Sequence, residues 1–385
     1  MDLTIPAEYE HLFQGSFFDF DDNTTGSDPN INGSNTFQYT CGHDTRLQVF
    51  HSVFQPLVYS VVFLLGVTGN GLMMTVLLRR HGHLRITEIY LLHLALADLL
   101  LLATFPFALF QGSLGMTFGN IPCKLFGLLN RLNFLSSSLL LACIGFDRYL
   151  AIVHAVPSLQ SRRPRNVHRT CLALWLLCLA LSAPNAVFLS IRQSETDPAK
   201  SVCFYFSYGL HANNWQLTER VLTHVLCFFL PLGVMTYCYT AVALILHRSQ
   251  THQRSLEKQG AIRLAFLVTI VFFLCWLPYN IAILVRTLID LQLVSLSCGA
   301  HANLQMSVGV TESLGFTHCC LNPLLYAMAG LRFRQDLVRL LAHWGCGRTC
   351  GGLVQGQARS ASRASTSFSE GLPTATTNTL SYYQD

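Results

Sequence analysis

Long stretches without charged side chains recur along the chain. Four of them, at 47–78, 170–191, 221–247 and 264–285, contain no Asp, Glu, Lys or Arg. Two more, at 89–123 and 291–331, each contain one carboxylate, Asp98 or Glu312. A seventh, at about 121–154, has Arg131 near its start and Asp147 with Arg148 near its end. A helix that crosses a membrane needs about twenty largely apolar residues, so the pattern predicts seven spans.

The seven stretches mix Leu, Phe, Val and Ala without strict alternation. Within lipid the backbone polar groups must be satisfied inside the segment or in a closed barrel, and the absence of a period of two favours helices. We therefore predict an all-α membrane protein, a seven-transmembrane helix bundle with a short C-terminal amphipathic helix. The predicted parts are an N-terminal arm (1–49), the bundle (50–330), the amphipathic helix (331–345) and a tail (346–385).

Lys and Arg are unevenly divided between the two sets of alternate loops. One set has nine cations and the other, with the N-terminal segment, has three: Arg79, Arg80, Arg85, Arg162, Arg163, Arg165, Arg248, Arg254 and Lys258 against Arg46, Arg192 and Lys200. Because cytoplasmic loops carry the excess of cations, the N-terminus is predicted to be extracellular. The start of the chain lacks the basic and apolar regions of a signal peptide, so the first helix is expected to direct insertion.

Composition agrees with a membrane protein. The 385 residues are 51% hydrophobic and only 12% charged, with a net charge of +5, whereas soluble domains have about 25% charged residues. A large soluble enzyme and a disordered chain are both excluded. A transporter would show internal repeats or matched broken helices, and an enzyme a nucleophile elbow or a zinc motif; we find none of these in the sequence.

The N-terminal arm is acidic. It has eight carboxylates against Arg46, a formal charge of −7, which favours disorder. Four phenylalanines in the arm suggest contact with a partner: Phe13, Phe17, Phe18 and Phe20. Tyr9 between Glu8 and Glu10 is a candidate for sulfation, and otherwise is a plain exposed tyrosine. Asn23 and Asn32 begin glycosylation sequons, which fit an exposed extracellular segment.

At the other end, apolar residues and cations alternate at helical spacing from Leu331, which is typical of a helix on a membrane surface. Cys346 and Cys350 follow as palmitoylation candidates, with ordinary reduced cysteines as the alternative. The tail from Ser360 to Ser381 is rich in hydroxyls. It is expected to be phosphorylated, with a plain flexible linker as the alternative.

Four cysteines are expected in the oxidising exterior or at its edge. Four cysteines allow three pairings. Because the first and seventh helices of a closed bundle are neighbours, the economical arrangement pairs Cys41 with Cys298 and Cys123 with Cys203.

Polar side chains within the spans are costly and usually functional. Asp98 lies mid-helix, and Asn133 and Ser137 lie one turn apart on one face of the third helix. Further polar or amphipathic positions are Asn70, Trp276, His318 and Asn322. Such a cluster could hold a small cation, a proton or only ordered water.

Several motifs together resemble, in order and spacing, those of the rhodopsin-like G-protein-coupled receptors. They run through all seven helices: Gly69-Asn70, Leu94-Ala95-Leu96-Ala97-Asp98, Asp147-Arg148-Tyr149, Trp175, Phe273-Leu274-Cys275-Trp276-Leu277-Pro278-Tyr279 and Asn322-Pro323-Leu324-Leu325-Tyr326. Within that class the chain is similar to CXC-type chemokine receptors. This narrower resemblance rests on Thr104-Phe105-Pro106, the run from Asp147 to Ala155, His318-Cys319-Cys320, Glu312 and the Cys41 and Cys298 pair.

The resemblance implies an activation apparatus. Asp147 holds Arg148 at rest, and Arg148 is freed to meet an inhibitory-class G protein when the sixth helix moves outward; a snorkelling arginine is the alternative. Tyr149, Tyr239 and Tyr326 occupy positions of this apparatus. Pro278 and Pro323 provide places to bend, and Trp276 would lie beneath the ligand pocket.

The resemblance also implies an allosteric sodium site made by Asp98, Asn133, Ser137 and Asn322, with ordered water as the alternative; no other cofactor or metal is expected. His318 and Cys319 are adjacent, and neighbours on an ideal helix point about 100° apart. We therefore expect them to pack and not to share a metal ion.

For the ligand, the resemblance implies a basic CXC chemokine. The acidic arm with Glu8, Tyr9 and Glu10 would attract it, and Glu312 and Asp290 would contact it. The alternative for Glu312 is a structural pairing with Arg286 or Arg131. Expected partners are receptor kinases and arrestin at the tail and the plasma membrane lipid, with no nucleic acid. A scavenging receptor without G-protein output is the alternative function, but such receptors commonly alter the Asp-Arg-Tyr motif, which is intact here.

Overall fold

The computed structural model describes residues 49–80, 84–114, 119–154, 164–193, 201–205, 212–248, 256–291, 293–294, 297–329 and 331–341. Several predicted sites lie outside these residues: Glu8, Tyr9, Glu10, Asn23, Asn32, Cys41, Cys346 and Cys350. The described residues also exclude the side chains of Cys203 and Cys298.

The chain forms a bundle of seven helices, several of which are interrupted. The elements are a π-helical turn (Phe50–Phe54), α1 (Gln55–Leu78), α2 (Ile86–Leu102), α3 (Phe105–Leu114), α4 (Asn120–Val153), α5 (Pro164–Phe188), α6 (Ala212–Thr223), a π-helical segment (His224–Phe229), α7 (Leu230–Arg248), α8 (Leu256–Asp290), α9 (Cys298–Phe316), α10 (His318–Ala329) and α11 (Leu331–Leu341). The second span is α2 with α3, the fifth runs from α6 to α7, and the seventh is α9 with α10.

Six of the spans in the described residues are long and apolar enough to cross a membrane. The seventh is not among them, and it contains Glu312, His318 and Asn322. Large apolar side chains such as Leu57 and Leu64 of α1 are about 60% exposed on the outside of the bundle. Such a surface suits a lipid solvent, in which an apolar exterior has no cost.

Close helix packing inside the bundle depends on small residues. A Cβ atom added at Gly66 of α1 would lie 2.6 Å from Leu102 of α2, and one added at Gly69 would lie 3.0 Å from Pro323 of α10. These two glycines therefore allow α1 to approach both neighbours closely, as small residues do at helix interfaces in membranes.

A two-stranded hairpin, which the sequence pattern did not predict, follows α5. Strand β1 (Leu189–Gln193) pairs antiparallel with β2 (Ser201–Tyr205), with Ile191 opposite Cys203. The first residue of α4 fixes its position, because Asn120 Oδ1 accepts bonds from Ile191 N (2.8 Å) and Ser190 Oγ (3.1 Å). We call this end of the bundle the hairpin end and the opposite end the Arg148 end.

The chain divides into two compact units with the boundary between residues 330 and 331. Helix α11 belongs to the second unit and is considered by itself. It is amphipathic, and Arg339 pairs with Asp336 one turn earlier (3.5 Å).

Candidate functional site

Asp98 of α2 is the centre of a polar cluster within the bundle. Its carboxylate is fully buried, and it accepts hydrogen bonds from two amides on two other helices. Asn133 Nδ2 of α4 lies 2.9 Å from Oδ1, and Asn322 Nδ2 of α10 lies 3.0 Å from Oδ2. The structure thus brings together three of the four residues predicted for a cation site.

The fourth, Ser137, lies one helical turn after Asn133 and is also fully buried. Its hydroxyl has no hydrogen-bond partner in the described part of the chain, and the same is true of Oδ1 of Asn133 and Oδ1 of Asn322. Buried polar atoms are normally paired, so these three oxygens retain the capacity to bind a further donor or a cation.

His318 and Cys319 also contact this carboxylate, contrary to expectation. His318 Nε2 and Cys319 Sγ each lie 3.5 Å from Asp98 Oδ1, and they are 3.6 Å from one another. Ideal helix geometry predicted that the two side chains diverge. The prediction is wrong, because an offset of about 100° still lets both side chains reach one oxygen atom on a facing helix. We call Asp98, Asn133, Ser137, His318, Cys319 and Asn322 the Asp98 cluster.

Asn70 contacts the backbone of the Asp98 cluster at a carbonyl that a proline leaves without its helical donor. Pro323 has no N–H to donate to the carbonyl four residues earlier, that of Cys319. Asn70 Nδ2 of α1 donates to this carbonyl instead (2.7 Å) and also to Gly66 O (3.0 Å). The bend of the seventh span is therefore coupled to the first helix by one buried amide.

The same arrangement occurs in the fifth span, where sequence analysis missed it. Pro231 cannot donate to Cys227 O, four residues earlier in the π-helical segment. Ser138 Oγ of α4 donates to that carbonyl in a short hydrogen bond. The signal was present in the sequence as Pro231 within an apolar run, but the donor is distant along the chain.

Trp276 lies above the Asp98 cluster, and its indole is almost completely buried. Its ring is 4.5 Å from that of Phe134, 5.8 Å from Phe316 and 5.7 Å from His318, measured between centroids. A Cβ atom at Gly315 would lie only 2.7 Å from the indole, so glycine is required for this packing.

Just beyond Trp276, the bend at Pro278 is braced by a buried pair of side chains. Asn280 Nδ2 donates to Trp276 O (2.9 Å), and Asn280 Oδ1 lies 2.9 Å from His224 Nδ1 of the π-helical segment. The fifth and sixth spans are thus joined beside the tryptophan. His224 and Asn280 were not singled out from the sequence.

At the Arg148 end, Arg148 donates to the neighbouring Asp147 carboxylate (2.6 Å between Nη2 and Oδ2). The Tyr149 hydroxyl lies 3.2 Å from His154 Nε2 and 3.4 Å from the Tyr237 hydroxyl. The structure therefore contains the predicted contact between Asp147 and Arg148.

The two other predicted tyrosines bond to different helices. The Tyr239 hydroxyl of α7 lies 3.3 Å from Thr269 Oγ1 of α8. The Tyr326 hydroxyl of α10 lies 3.4 Å from Glu88 Oε1 at the start of α2, and Glu88 also forms an ion pair with Arg80. Glu88, which the sequence analysis did not single out, thus connects the start of α2 to Arg80 after α1 and to Tyr326 of α10.

Glu312 of α9 lies on the hairpin side of the bundle and is 2% exposed. Asn130 Nδ2 of α4 is 3.5 Å from its Oε1, at the limit of a hydrogen bond, and Oε2 has no partner among the described residues. A buried carboxylate with so little compensation is costly unless something else pairs with it.

Arg131, one proposed partner of Glu312, contacts a different carboxylate. Its Nε lies 4.0 Å from Glu219 Oε1 and its Nη2 donates to Glu219 O (3.2 Å). Asn185 Nδ2 also donates to Glu219 Oε1 (2.9 Å). Asp290 pairs with Arg220 in a short contact. Glu219 and Arg220, which the sequence analysis did not single out, are thus the partners of Arg131 and Asp290.

Cys123 in the first turn of α4 is disulfide-bonded. Its predicted pairing with Cys203 stays a prediction. In the hairpin, Cys203 lies opposite Ile191, and the residue before Ile191, Ser190, contacts Asn120.

Comparisons with known proteins agree with this arrangement. Residues 69–326 match the 7 transmembrane receptor (rhodopsin family). The chain is 44% identical to human C-X-C chemokine receptor type 5 over 77% of its length and 79% of that receptor. It is 42% identical to human C-X-C chemokine receptor type 3 over 86% of both chains. It is 39% identical to chimpanzee (Pan troglodytes) C-X-C chemokine receptor type 1 over 85% of its length and 90% of that receptor.

The family prediction is therefore confirmed, and so is the expectation of a signalling receptor and not an enzyme. A family of this kind has chemokines as ligands and G proteins as partners, and its members cross the membrane several times. The chain belongs to the rhodopsin family of seven-transmembrane receptors and, within it, to the C-X-C chemokine receptors.

Proposed function

We propose that this receptor binds a basic CXC-type chemokine outside the cell and activates an inhibitory-class heterotrimeric G protein, with calcium signalling and chemotaxis as the results. The observation that carries the proposal is the contact between Asp147 and Arg148 at the end of the bundle opposite Glu312. Arg148 would be the cation that is released at one end, and Glu312 is a carboxylate with few hydrogen-bond partners at the other.

The hairpin end is the proposed ligand side, and Glu312 is its principal contact. Arg131 contacts Glu219, and Arg220 forms an ion pair with Asp290. Oε2 of Glu312 has no hydrogen-bond partner among the described residues. A cationic group from the N-terminal region of a chemokine would supply the missing charge in a desolvated setting, where such pairs are strong.

Asp290 has a different role in this proposal. Because Arg220 already neutralises it, its contribution to ligand contact is expected to be smaller than that of Glu312. An ion pair that is already formed must be broken or shared before it can bind a new cation.

The Arg148 end is the proposed G-protein side. Arg148 Nη2 is bound to Asp147 while its Nε has no described partner. Outward movement of α8 would expose this guanidinium to the G protein. The Tyr239 contact with Thr269 joins α7 to α8 and has to adjust in that movement.

The Asp98 cluster lies between the two ends, and we propose that it holds sodium in the resting receptor. Asp98 would supply the charge, and Asn133, Ser137 and Asn322 the neutral oxygens. The free oxygens of these three residues support the proposal. Collapse of the cluster would let α10 bend at Pro323 and α8 at Pro278.

The residues outside the described part complete the proposal. The acidic arm, with Glu8, Tyr9 and Glu10, would capture the chemokine first, and glycans at Asn23 and Asn32 fit an extracellular arm. Disulfides between Cys123 and Cys203 and between Cys41 and Cys298 would hold the hairpin end. Palmitoylation at Cys346 and Cys350 would anchor the α11 region, and phosphorylated hydroxyls in 346–385 would bind arrestin.

The test is expression in cells without endogenous chemokine receptors, followed by a panel of chemokines with G-protein activation and arrestin recruitment measured together. We expect a CXC chemokine to activate an inhibitory-class G protein. Arg148→Ala should abolish this signal and leave chemokine binding within about threefold, because the two sites are at opposite ends. Arg165→Ala, which removes a cation at the start of α5, is the matched control.

The outcome that contradicts the proposal is chemokine binding and arrestin recruitment by the unaltered receptor without G-protein activation. That result would make the protein a scavenging receptor, and the role of Arg148 would be withdrawn.

A further inference from the structure

The three reactive atoms of Asp98, His318 and Cys319 lie at the corners of one small triangle. The separations are 3.5 Å from Asp98 Oδ1 to His318 Nε2, 3.5 Å from Asp98 Oδ1 to Cys319 Sγ, and 3.6 Å from Nε2 to Sγ. Among the described residues they form the only group of this kind that could hold a metal ion.

These separations fit one face of a zinc tetrahedron. Zinc bonds of about 2.0 Å to carboxylate oxygen, about 2.05 Å to imidazole nitrogen and about 2.3 Å to sulfur give tetrahedral edges of about 3.3, 3.5 and 3.6 Å. Each observed separation is within roughly 0.2 Å of its edge, the tolerance expected of a metal site.

The imidazole is already in the tautomer that a metal requires. His318 Nδ1 lies 2.7 Å from the carbonyl oxygen of Gly315, which can only accept, so Nδ1 carries a proton. In the neutral ring, Nε2 then presents its lone pair to Asp98 Oδ1, and two acceptors face one another. A backbone carbonyl that fixes the other ring nitrogen is the usual outer partner of a zinc-bound histidine.

Charge favours a divalent ion when the thiol ionises. Binding would break the Cys319 S–H bond, form a bond between sulfur and zinc and release the proton to solvent. The thiolate and the Asp98 carboxylate then balance the two charges of zinc. A neutral site is favoured because all three residues are fully buried, where an uncompensated charge is very costly.

Two side-chain oxygens could hold a water molecule at the fourth position of the zinc tetrahedron. Asn133 and Asn322, whose Nδ2 atoms bond to Asp98, have buried Oδ1 atoms without described partners. Either oxygen can accept from a water that completes the tetrahedron. The asparagines would then hold both the carboxylate and that water in place, as outer partners do in metal sites.

We propose that Asp98, His318 and Cys319 bind one Zn²⁺ ion in competition with sodium. The imidazole and thiolate select a borderline soft ion, whereas sodium would use Asp98 and neutral oxygens alone. A bound Zn²⁺ would tie α2 to α10 and hold the bundle at rest. The binding does not depend on the identity of the chemokine or the G protein.

The test uses the purified full-length receptor in detergent with Co²⁺ as a spectroscopic probe of the zinc site. Tail cysteines are excluded as a source of signal by making all measurements in a Cys346→Ser and Cys350→Ser background. We expect one Co²⁺ per receptor with a thiolate charge-transfer band and the visible bands of tetrahedral Co²⁺, all displaced by Zn²⁺.

Two variants and one control locate the site. Cys319→Ser should remove the charge-transfer band, and His318→Gln should weaken Co²⁺ binding by at least about tenfold. Cys320→Ser is the matched control, because Cys320 is the next residue and its Sγ contacts Thr317 O and not the Asp98 cluster (3.0 Å). It should retain the band.

The proposal is overturned if the unaltered site shows no thiolate band, or if the band survives Cys319→Ser. Because the readout is an absorption spectrum, failure here leaves the signalling proposal intact. Failure of chemokine signalling likewise leaves this result unaffected.

Discussion

Two buried carboxylates in this bundle have opposite surroundings. Asp98 lies within 3.0 Å of two amide donors and within 3.5 Å of an imidazole nitrogen and a thiol. Glu312 is as deeply buried, but it has one amide at 3.5 Å and one oxygen without a described partner. The two carboxylates are therefore about equally buried, but Asp98 has more hydrogen-bond donors than Glu312.

The difference separates an internal function from a binding function. A carboxylate fixed by protein donors on two other helices stabilises the bundle and can hold a cation. A buried carboxylate with almost no donors destabilises the unliganded protein. A cation from outside that pairs with it would be bound favourably. Such a group is a better candidate for ligand contact than for structure.

The largest expected effect on stability comes from removing Asp98, the carboxylate with more hydrogen-bond donors. Asp98→Ala would leave the Asn133 and Asn322 amides without their charged acceptor. Interhelical hydrogen bonds contribute modestly in membranes, but two buried donors are lost at once, so we expect a stability decrease of about 2–4 kcal/mol. Thermal unfolding of the purified receptor measures it, with Glu312→Ala as the comparison. An equal loss in both variants would remove the distinction between the two carboxylates.

A smaller effect separates two adjacent serines on α4. Ser138→Ala should cost about 1 kcal/mol, because the Cys227 carbonyl freed by Pro231 loses its donor. Ser137→Ala should leave stability in sodium-free buffer nearly unchanged, since its hydroxyl has no described partner. Unfolding of the two variants in parallel tests this, and a larger loss for Ser137→Ala would mean that burial matters more than bonding here.

The smallest effect on stability is expected at Glu312. Glu312→Gln keeps the shape and removes the charge, so unliganded stability should change by less than about 0.5 kcal/mol or rise slightly. Comparison of unfolding curves without chemokine measures this. A marked destabilisation would show that Glu312 has a structural partner, the alternative raised from the sequence.

The sequence alone predicted the spans and much of the central site. Charge-free stretches located all seven helices because lipid excludes unpaired charges, and the intramembrane Asp98, Asn133 and Asn322 are rare enough to be informative. The structure does bring these three side chains together. The contact between Asp147 and Arg148, which the resemblance implied, is also present.

The rest depends on how the helices pack against one another. The convergence of His318 and Cys319 on Asp98 Oδ1 depends on where α2 lies beside α10, which a helical wheel does not show. Glu219 lies beside Arg131, which was one of two alternative partners for Glu312, and only the packing of the helices shows this contact. The donors to the carbonyls freed by Pro231 and Pro323 come from helices far away in sequence.

The most direct test of the central claim, that Glu312 meets the chemokine's N-terminal cation, is a double-mutant cycle across the interface. Chemokine affinity would be measured for the receptor and its Glu312→Gln variant, each with an unaltered chemokine and one whose N-terminal amine is acetylated. We expect either change alone to weaken binding by about 10-fold to 100-fold, equivalent to about 1.4–2.8 kcal/mol, and the two together to weaken it little further. Additive losses would contradict the account, because they would show that the two groups do not interact.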